Sequence, residues 1–200
     1  MLETEAVGWG TSVTLPVSRI CGILGKMREI EQFADLETED GAPASICARV
    51  AKIFRVTATE VALLELSGSM LTFLYPAELR TAGAIPLSSS AVAARTAQTK
   101  EAQLFNGFAE VKHFSIFELV KLGDTGLDDQ VIQKLMSAPV LGRDGEVDGV
   151  IQVSRKAPRP AAAGPDFTPE DLRKLESVAR SVGRQMAKLR AVAQGGTLLM

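Results

Sequence analysis

The amino-acid sequence predicts an α+β domain built on a central antiparallel sheet of five to six strands. Near both ends of the chain, apolar residues recur every three or four positions, which is the spacing of amphipathic helices. Between these ends the period changes to short β-rich runs joined by turn residues, as in "LELSGSML" and "VLGRDGEVDG". Runs joined in this way form hairpins, so neighbouring strands are expected to run antiparallel.

Composition indicates a globular protein with one core. The chain has 200 residues, of which 46% are hydrophobic and 23% charged, and its net charge is -2. A slightly acidic balance argues against a nucleic-acid surface. No apolar run approaches the roughly 20 residues of a membrane helix, and the N-terminus lacks the pattern of a signal peptide. We therefore expect a cytoplasmic protein whose partners are neither membranes nor nucleic acids.

The helical and extended patterns divide one domain into consecutive parts. An apolar stripe from Val17 to Ala34 predicts the first helix, and the stretch "KAPRPAAAGP" is typical of a flexible or extended linker. The predicted parts of this single domain, residues 1–200, are a loose N-terminus at 1–15, an N-terminal helix at 16–40, a sheet core at 41–158, a Pro/Ala linker at 159–166, a C-terminal helix at 167–194 and a tail at 195–200.

The first half of the predicted sheet core combines short helices and strands. A short amphipathic helix is expected at 44–54, followed by a hairpin at 61–75 whose two strands are separated by "SGS". "AGAIPL" and "EAQLFN" each supply a further short strand. Between these two strands, the serines at 88–90 are expected to cap a helix that runs to Gln98.

A second hairpin is predicted in the other half, with strands at 135–141 and 147–154. Asp144 and Gly145 are expected to provide the positive φ angles of a primed two-residue turn. Gly149 is expected to leave room above the sheet for a bulge or a closely packed helix.

The C-terminal helix has a well-specified start and a regular apolar seam. Thr168 and Asp171 have the spacing of a capping box, and apolar residues then follow a heptad pattern from Leu172 to Ala193. This pattern predicts a homodimer made by residues 17–37 and 172–193. A single helix laid on its own core is the alternative.

The charges of the two terminal helices are opposite. Residues 16–40 hold three basic and six acidic side chains, and residues 168–194 hold six basic and three acidic ones. Their net charges of -3 and +3 favour packing of the two helices, within one chain or across a dimer.

Three stretches carry a family resemblance in the same chain order: "IPLSSSAVAARTAQTKEAQLF" at 85–105, "APVLGRDGEVDGVIQV" at 138–153 and "FTPEDLRKLESVA" at 167–179. They resemble motifs of the GAF domain family, small-ligand sensor domains related in architecture to PAS domains. The resemblance implies terminal helices on one face of the sheet, with a helix and a variable loop segment on the other. The chain departs from the family at Ser90 and Ala93, where glycines are frequent, and at "TKEA", where "T-G-x-P" is common.

The family resemblance also implies a ligand pocket between the sheet and the helix at 88–98, covered by residues 106–123. Aromatic and polar side chains in this region are candidates for its lining, while plain core packing is the commoner role of such aromatic residues. The candidate pocket residues are Phe73, Tyr75, Phe105, Asn106, His113, Phe114 and Phe117.

The cofactor, if one binds, is left open by the sequence. His113 is the only histidine, and some proteins that resemble this one hold haem through one histidine. A solvated or packed histidine is the alternative. Bilin-binding relatives attach the chromophore through a cysteine, which the variable segment here lacks. No metal site is predicted.

The predicted function is therefore that of a non-enzymatic sensory or regulatory domain, which binds a small ligand and signals through dimeric terminal helices to a separate output protein. One alternative is a ligand-free dimerisation or scaffold module whose pocket is filled by its own side chains. Another is a small thiol-based reductase. That chemistry needs an accessible thiolate and a resolving thiol, whereas Cys21 and Cys47 lie on predicted helices and are expected to be reduced and buried. No catalytic residue is assigned.

Overall fold

The computed structural model describes residues 43–81, 83–108 and 131–195, and for 187–195 it describes the backbone alone. The predicted helix at 16–40 and most of the predicted pocket cover at 106–123 lie outside these residues. The helices and strands of the described part are α1 (Pro43–Phe54), β1 (Val61–Ser67), β2 (Met70–Tyr75), β3 (Ile85–Pro86), α2 (Val92–Thr99), β4 (Gln103–Phe105), β5 (Val131–Leu141), β6 (Val147–Ala157) and α3 (Pro169–Gly195).

The six strands form one antiparallel sheet in the order β3-β2-β1-β6-β5-β4. This arrangement confirms the predicted α+β class and the predicted number of strands. The two hairpins also occur where the sequence placed them. The strands of the second hairpin have 11 residues each and are longer than predicted.

The turn of the second hairpin differs from the predicted type. Gly145 has a φ of 78°, but Asp144 is not among the described residues with positive φ. The Gly145 N–H donates to the Gly142 carbonyl at 3.2 Å, and the Gly142 N–H donates to the Glu146 carbonyl at 2.8 Å. This pattern is a tight turn closed by one left-handed glycine, which a longer hairpin loop uses in place of a primed two-residue turn.

Gly149 lies beside a neighbouring strand and does not make room for a helix. The β5–β6 register shifts between Val140 and Leu141, opposite the start of β6. A side chain at Gly149 would collide with the backbone carbonyl of Leu64 in β1. The glycine therefore allows β1 to pair closely with an irregular part of β6.

Helices cover both faces of the sheet and separate two hydrophobic clusters. On the first face, called here the α1/α3 face, both helices bury their apolar sides against β1, β5 and β6. On the second face, the α2 face, α2 covers side chains of β1, β2, β5 and β6. The C-terminal helix and the mid-domain helix are thus on opposite faces, as predicted.

The apolar seam of α3 faces its own sheet. Leu175, Ala179, Val182 and Met186 are all buried in the α1/α3 cluster of the same chain. Gly183 lies so close to the sheet that a side chain there would collide with the Leu141 carbonyl. The prediction of an intermolecular seam is therefore wrong for these four residues, because the heptad pattern reflects packing on the chain's own core.

Two helix starts test the capping predictions. At α3, the Thr168 N–H donates to Asp171 Oδ2 at 2.8 Å and the Asp171 N–H donates to Thr168 Oγ1 at 3.1 Å, which confirms the predicted capping box. At α2, the N-cap residue is Ala91, with no side-chain cap. The predicted serine cap is therefore wrong. No helix of the described residues is long and apolar enough to cross a membrane.

Candidate ligand-binding face

A row of polar side chains crosses the α2 face of the sheet. Gln103, Ser137 and Gln152 are direct cross-strand partners on β4, β5 and β6, and directly opposed residues share a face. Ser137 Oγ accepts hydrogen bonds from Thr96 Oγ1 of α2 at 2.8 Å and from Gln152 Nε2 at 3.2 Å. All three bonded side chains are buried. The centre of this face is therefore a neutral hydrogen-bonding site inside apolar surroundings.

One end of the polar row has an acceptor that is not satisfied. Gln103 Oε1 is shielded from solvent and has no hydrogen-bond partner among the described residues. A buried acceptor without a donor is costly, so such a group favours the binding of any molecule that supplies one. The row can therefore orient a polar, uncharged group at this position.

Three phenylalanines lie on the same face as the polar row. Phe73 and Phe108 are fully buried in the α2-face cluster, and the half-buried Phe105 packs against that cluster. The rings of Phe105 and Phe108 are 6.0 Å apart with an interplanar angle of 67°, an edge-to-face contact. Of the predicted pocket residues, Phe73 and Phe105 are thus brought to one face.

Tyr75 lies on the opposite face from Phe73, although residues two apart on a regular strand share a face. The pairing of β1 with β2 shifts between Leu63 and Leu64, so that Leu74 is an extra residue. Tyr75 consequently packs against the α1/α3 cluster. Burial raises the pKa of Tyr75, and the nearby Cys47 and Glu78 add to this effect.

Asn106 uses its side chain to hold the chain before α3. Its Nδ2 donates to the Phe167 carbonyl and its Oδ1 accepts from the Phe167 N–H, both at 2.9 Å. The amide therefore binds protein backbone on both sides and is not directed at the polar row. The remaining candidates, His113, Phe114 and Phe117, lie outside the described residues.

Sequence reasoning did not select Thr96, Ser137 or Gln152. The signal for the two strand residues was their polar character at positions where the alternation requires burial. Their mutual contact was not visible, because the partners are 41 and 15 positions apart in the chain.

Cys47 is placed where thiol chemistry is disfavoured. It is fully buried in the α1/α3 cluster, on the side of the sheet away from the polar row. Burial raises the pKa of its thiol to about 12, so the reactive thiolate is scarce at neutral pH. The other cysteine, Cys21, lies outside the described residues. Within the described ranges, no group of three His, Cys, Asp or Glu side chains is arranged to hold a metal ion.

A separate groove of about 260 Å³ lies between the start of α1 and the end of β2. Its apolar lining includes Pro43, Leu74 and Tyr75, and its polar lining includes Glu78 and Arg80. It is distinct from the polar row, whose residues do not line it.

Comparison with known proteins places this architecture among solved folds. The GAF domain of an Acinetobacter phosphoenolpyruvate-protein phosphotransferase superposes with a TM-score of 0.63 at 14% identity, covering 85% of this chain and 98% of that one. The corresponding domain from Coxiella burnetii gives a TM-score of 0.63 at 9% identity and covers 86% and 98% of the two chains. The chain has the GAF domain fold.

Enzymes share this fold with the sensor domains. The free methionine-R-sulfoxide reductase of Neisseria meningitidis, solved with its substrate, superposes on the GAF fold of this chain with a TM-score of 0.57 at 14% identity, covering 94% of this chain and 99% of that one. No protein-family model matches the sequence, and no curated protein matches it either. At these identities the likeness shows the GAF fold and leaves the function to be argued from the residues.

Proposed function

We propose that this chain is a non-enzymatic sensory or regulatory GAF domain, which binds a small ligand on the α2 face and passes the change to a separate output protein. The observation that supports this most is the buried polar row formed by Gln103, Ser137 and Gln152, next to Phe105 and Phe108. Sites for small molecules commonly combine apolar walls with a few polar groups that fix orientation.

The chemistry of the row favours an uncharged ligand. Amides and a hydroxyl form the row, and a charged group buried among them would lack the partner that offsets its desolvation. An aromatic or otherwise flat molecule fits best, because the edge-to-face pair Phe105 and Phe108 provides apolar surface beside the hydrogen-bonding groups.

The placement of Cys47 supports a non-enzymatic role against the thiol-based alternative. A thiol-dependent reductase needs an accessible thiolate of lowered pKa. The Cys47 thiol is fully buried, its pKa is raised to about 12, and it lies across the sheet from the polar row. His113 and Cys21 lie outside the described residues, so haem binding through His113 stays a prediction.

A ligand-free scaffold is the second candidate, and one contact favours it. Thr96 Oγ1 already donates to Ser137 Oγ at 2.8 Å, so α2 occupies the centre of the row with a side chain of its own. In that case the row would serve only to dock α2 on the sheet.

Homodimerisation, with a cytoplasmic location, belongs to the same proposal. Because the apolar side of α3 is buried in its own core, a partner must use the outward side, where Arg173, Arg180 and Arg184 are exposed. The segment at 16–40 of a second copy, with a net charge of -3, has the complementary charge. Light scattering of the full chain tests this, and a monomeric mass at micromolar concentration would contradict it.

Native mass spectrometry of freshly purified full-length protein tests the ligand. We expect a non-covalent adduct whose occupancy falls in Ser137→Ala. The matched control is Ser154→Ala, which removes a buried serine on the neighbouring strand β6, where its hydroxyl donates to the Glu60 carbonyl. An apo mass alone, unchanged after incubation with a host-cell metabolite extract, would contradict ligand binding and favour the scaffold.

A further inference from the structure

The chain between β6 and α3 is held to the sheet at three points. Lys134 Nζ of β5 donates to the Gly164 carbonyl at 2.6 Å and pairs with the Asp166 carboxylate at 2.7 Å. The Arg155 guanidinium of β6 lies 4.8 Å from the centre of the Phe167 ring. The third point is the Asn106 amide. The predicted Pro/Ala linker is therefore fixed where it enters α3.

Lys134 and Arg155 lie within strands, whereas Asn106 lies just after one. It follows β4 directly and stands two positions before Phe108, which is fully buried on the α2 face. Its partner Phe167 is buried in the α1/α3 cluster and immediately precedes the capping box of α3. One short side chain thus joins the edge of the candidate ligand face to the first turn of the C-terminal helix.

We propose that Asn106 is the coupling residue between the two faces: a change in the packing of Phe108 moves Asn106, and its paired hydrogen bonds carry that movement to Phe167 and the start of α3. The inference rests on the proposed sensory function. It adds a defined route by which a ligand on the α2 face would bias the helix on the other face.

The amide is the group that this position requires. A backbone N–H and C=O of the same residue present one donor and one acceptor, and a side-chain amide offers the complementary pair in one plane. Aspartate would keep the acceptor for the Phe167 N–H but would place a carboxylate against the Phe167 carbonyl. Asn106→Asp keeps nearly the same side-chain size and loses the hydrogen bond to the Phe167 carbonyl.

Hydrogen exchange of the full chain tests the first half of the proposal. In Asn106→Asp we expect the Leu172 amide, in the first turn of α3, to exchange about tenfold faster, since one ordinary hydrogen bond is worth roughly that factor. The matched control is Gln98→Glu, which removes a similar amide donor from the Leu87 carbonyl at 2.7 Å on the α2 side. Equal acceleration in both variants would overturn the proposal.

A double-mutant cycle tests the coupling itself without any ligand. Phe108→Leu loosens the α2 face, and we expect it to accelerate Leu172 exchange severalfold in the native background but not further in Asn106→Ala. Additive effects in the two backgrounds, or no effect of Phe108→Leu on α3, would overturn the proposal. Should Phe108→Leu fail to fold, Phe105→Leu perturbs the same ring pair.

The outcomes are separable from the proposed function. A missing ligand adduct in native mass spectrometry would contradict the proposed sensory function. The double-mutant cycle could still be measured, because it needs no ligand. A double-mutant cycle with additive effects would contradict the coupling role of Asn106 and would leave the proposal of ligand binding intact.

Discussion

Val182→Ala is the substitution that most directly tests how α3 packs. Val182 is fully buried against the sheet, beside Gly183 and its close approach to β5. The substitution removes two buried methyl groups, worth about 1.6 kcal/mol at about 0.8 kcal/mol each. Incomplete collapse of the resulting cavity raises the expected loss in the free energy of unfolding to about 2–3 kcal/mol.

Urea unfolding at two protein concentrations, 100-fold apart, measures this loss. Because Val182 packs within its own chain, we expect the same destabilisation at both concentrations and an unchanged mass by light scattering. Arg180→Ala, two positions away on the exposed side of α3, is the control and should change the free energy of unfolding of the protomer by less than about 0.5 kcal/mol. A halved mass in Val182→Ala, with unfolding of the protomer unchanged, would refute the placement of α3 on its own core.

Three further predictions concern individual groups. Ser137→Ala leaves the Thr96 hydroxyl and the Gln152 amide without their acceptor, so thermal unfolding should show a loss of about 1–3 kcal/mol. Asp171→Ala removes the carboxylate side of the capping box, which accepts from the Thr168 N–H and hydroxyl. It should cost about 1 kcal/mol in urea titrations, and faster hydrogen exchange should be confined to α3. Because the folded pKa of Cys47 is raised from 9.0 to about 12, the unfolded chain loses this proton first. Stability is thus intact below pH 9 and declines towards pH 12, and Cys47→Ala should lack that part of the decline in urea midpoints taken at pH 8 and 10.5.

The fold could be predicted well because its determinants are local in the sequence. The period of apolar residues separates helices from strands, and turn residues such as Gly68 and Gly145 separate paired strands. The capping box at Thr168 was readable for the same reason, since both of its members lie within one helical turn. None of these features depends on what the element packs against.

The errors arise where a pattern has two physical causes or where one extra residue changes the register. A heptad seam has the same spacing whether the helix packs on a second helix or on its own sheet, so Val182 and Met186 could not be assigned from spacing alone. Leu74 adds one residue to β2 and sends Tyr75 to the face opposite Phe73. No residue type in the strand signals such a bulge.

The candidate site was the hardest part to predict because polar side chains have more than one possible partner. Asn106 follows a strand and precedes an aromatic segment. That place in the sequence suits a ligand contact as well as it suits a hydrogen bond to the backbone, and only the position of Phe167 decides between the two roles. The same competition applies to Ser137, where a ligand must either replace the Thr96 hydroxyl or bind beside it at Gln103. A ligand that displaced Thr96 would loosen α2, whereas one bound at Gln103 would leave α2 in place and act first on β4 and the adjoining Asn106. The second mode requires less rearrangement of the buried core. We therefore expect the conformational change to begin at β4, at the edge of the sheet.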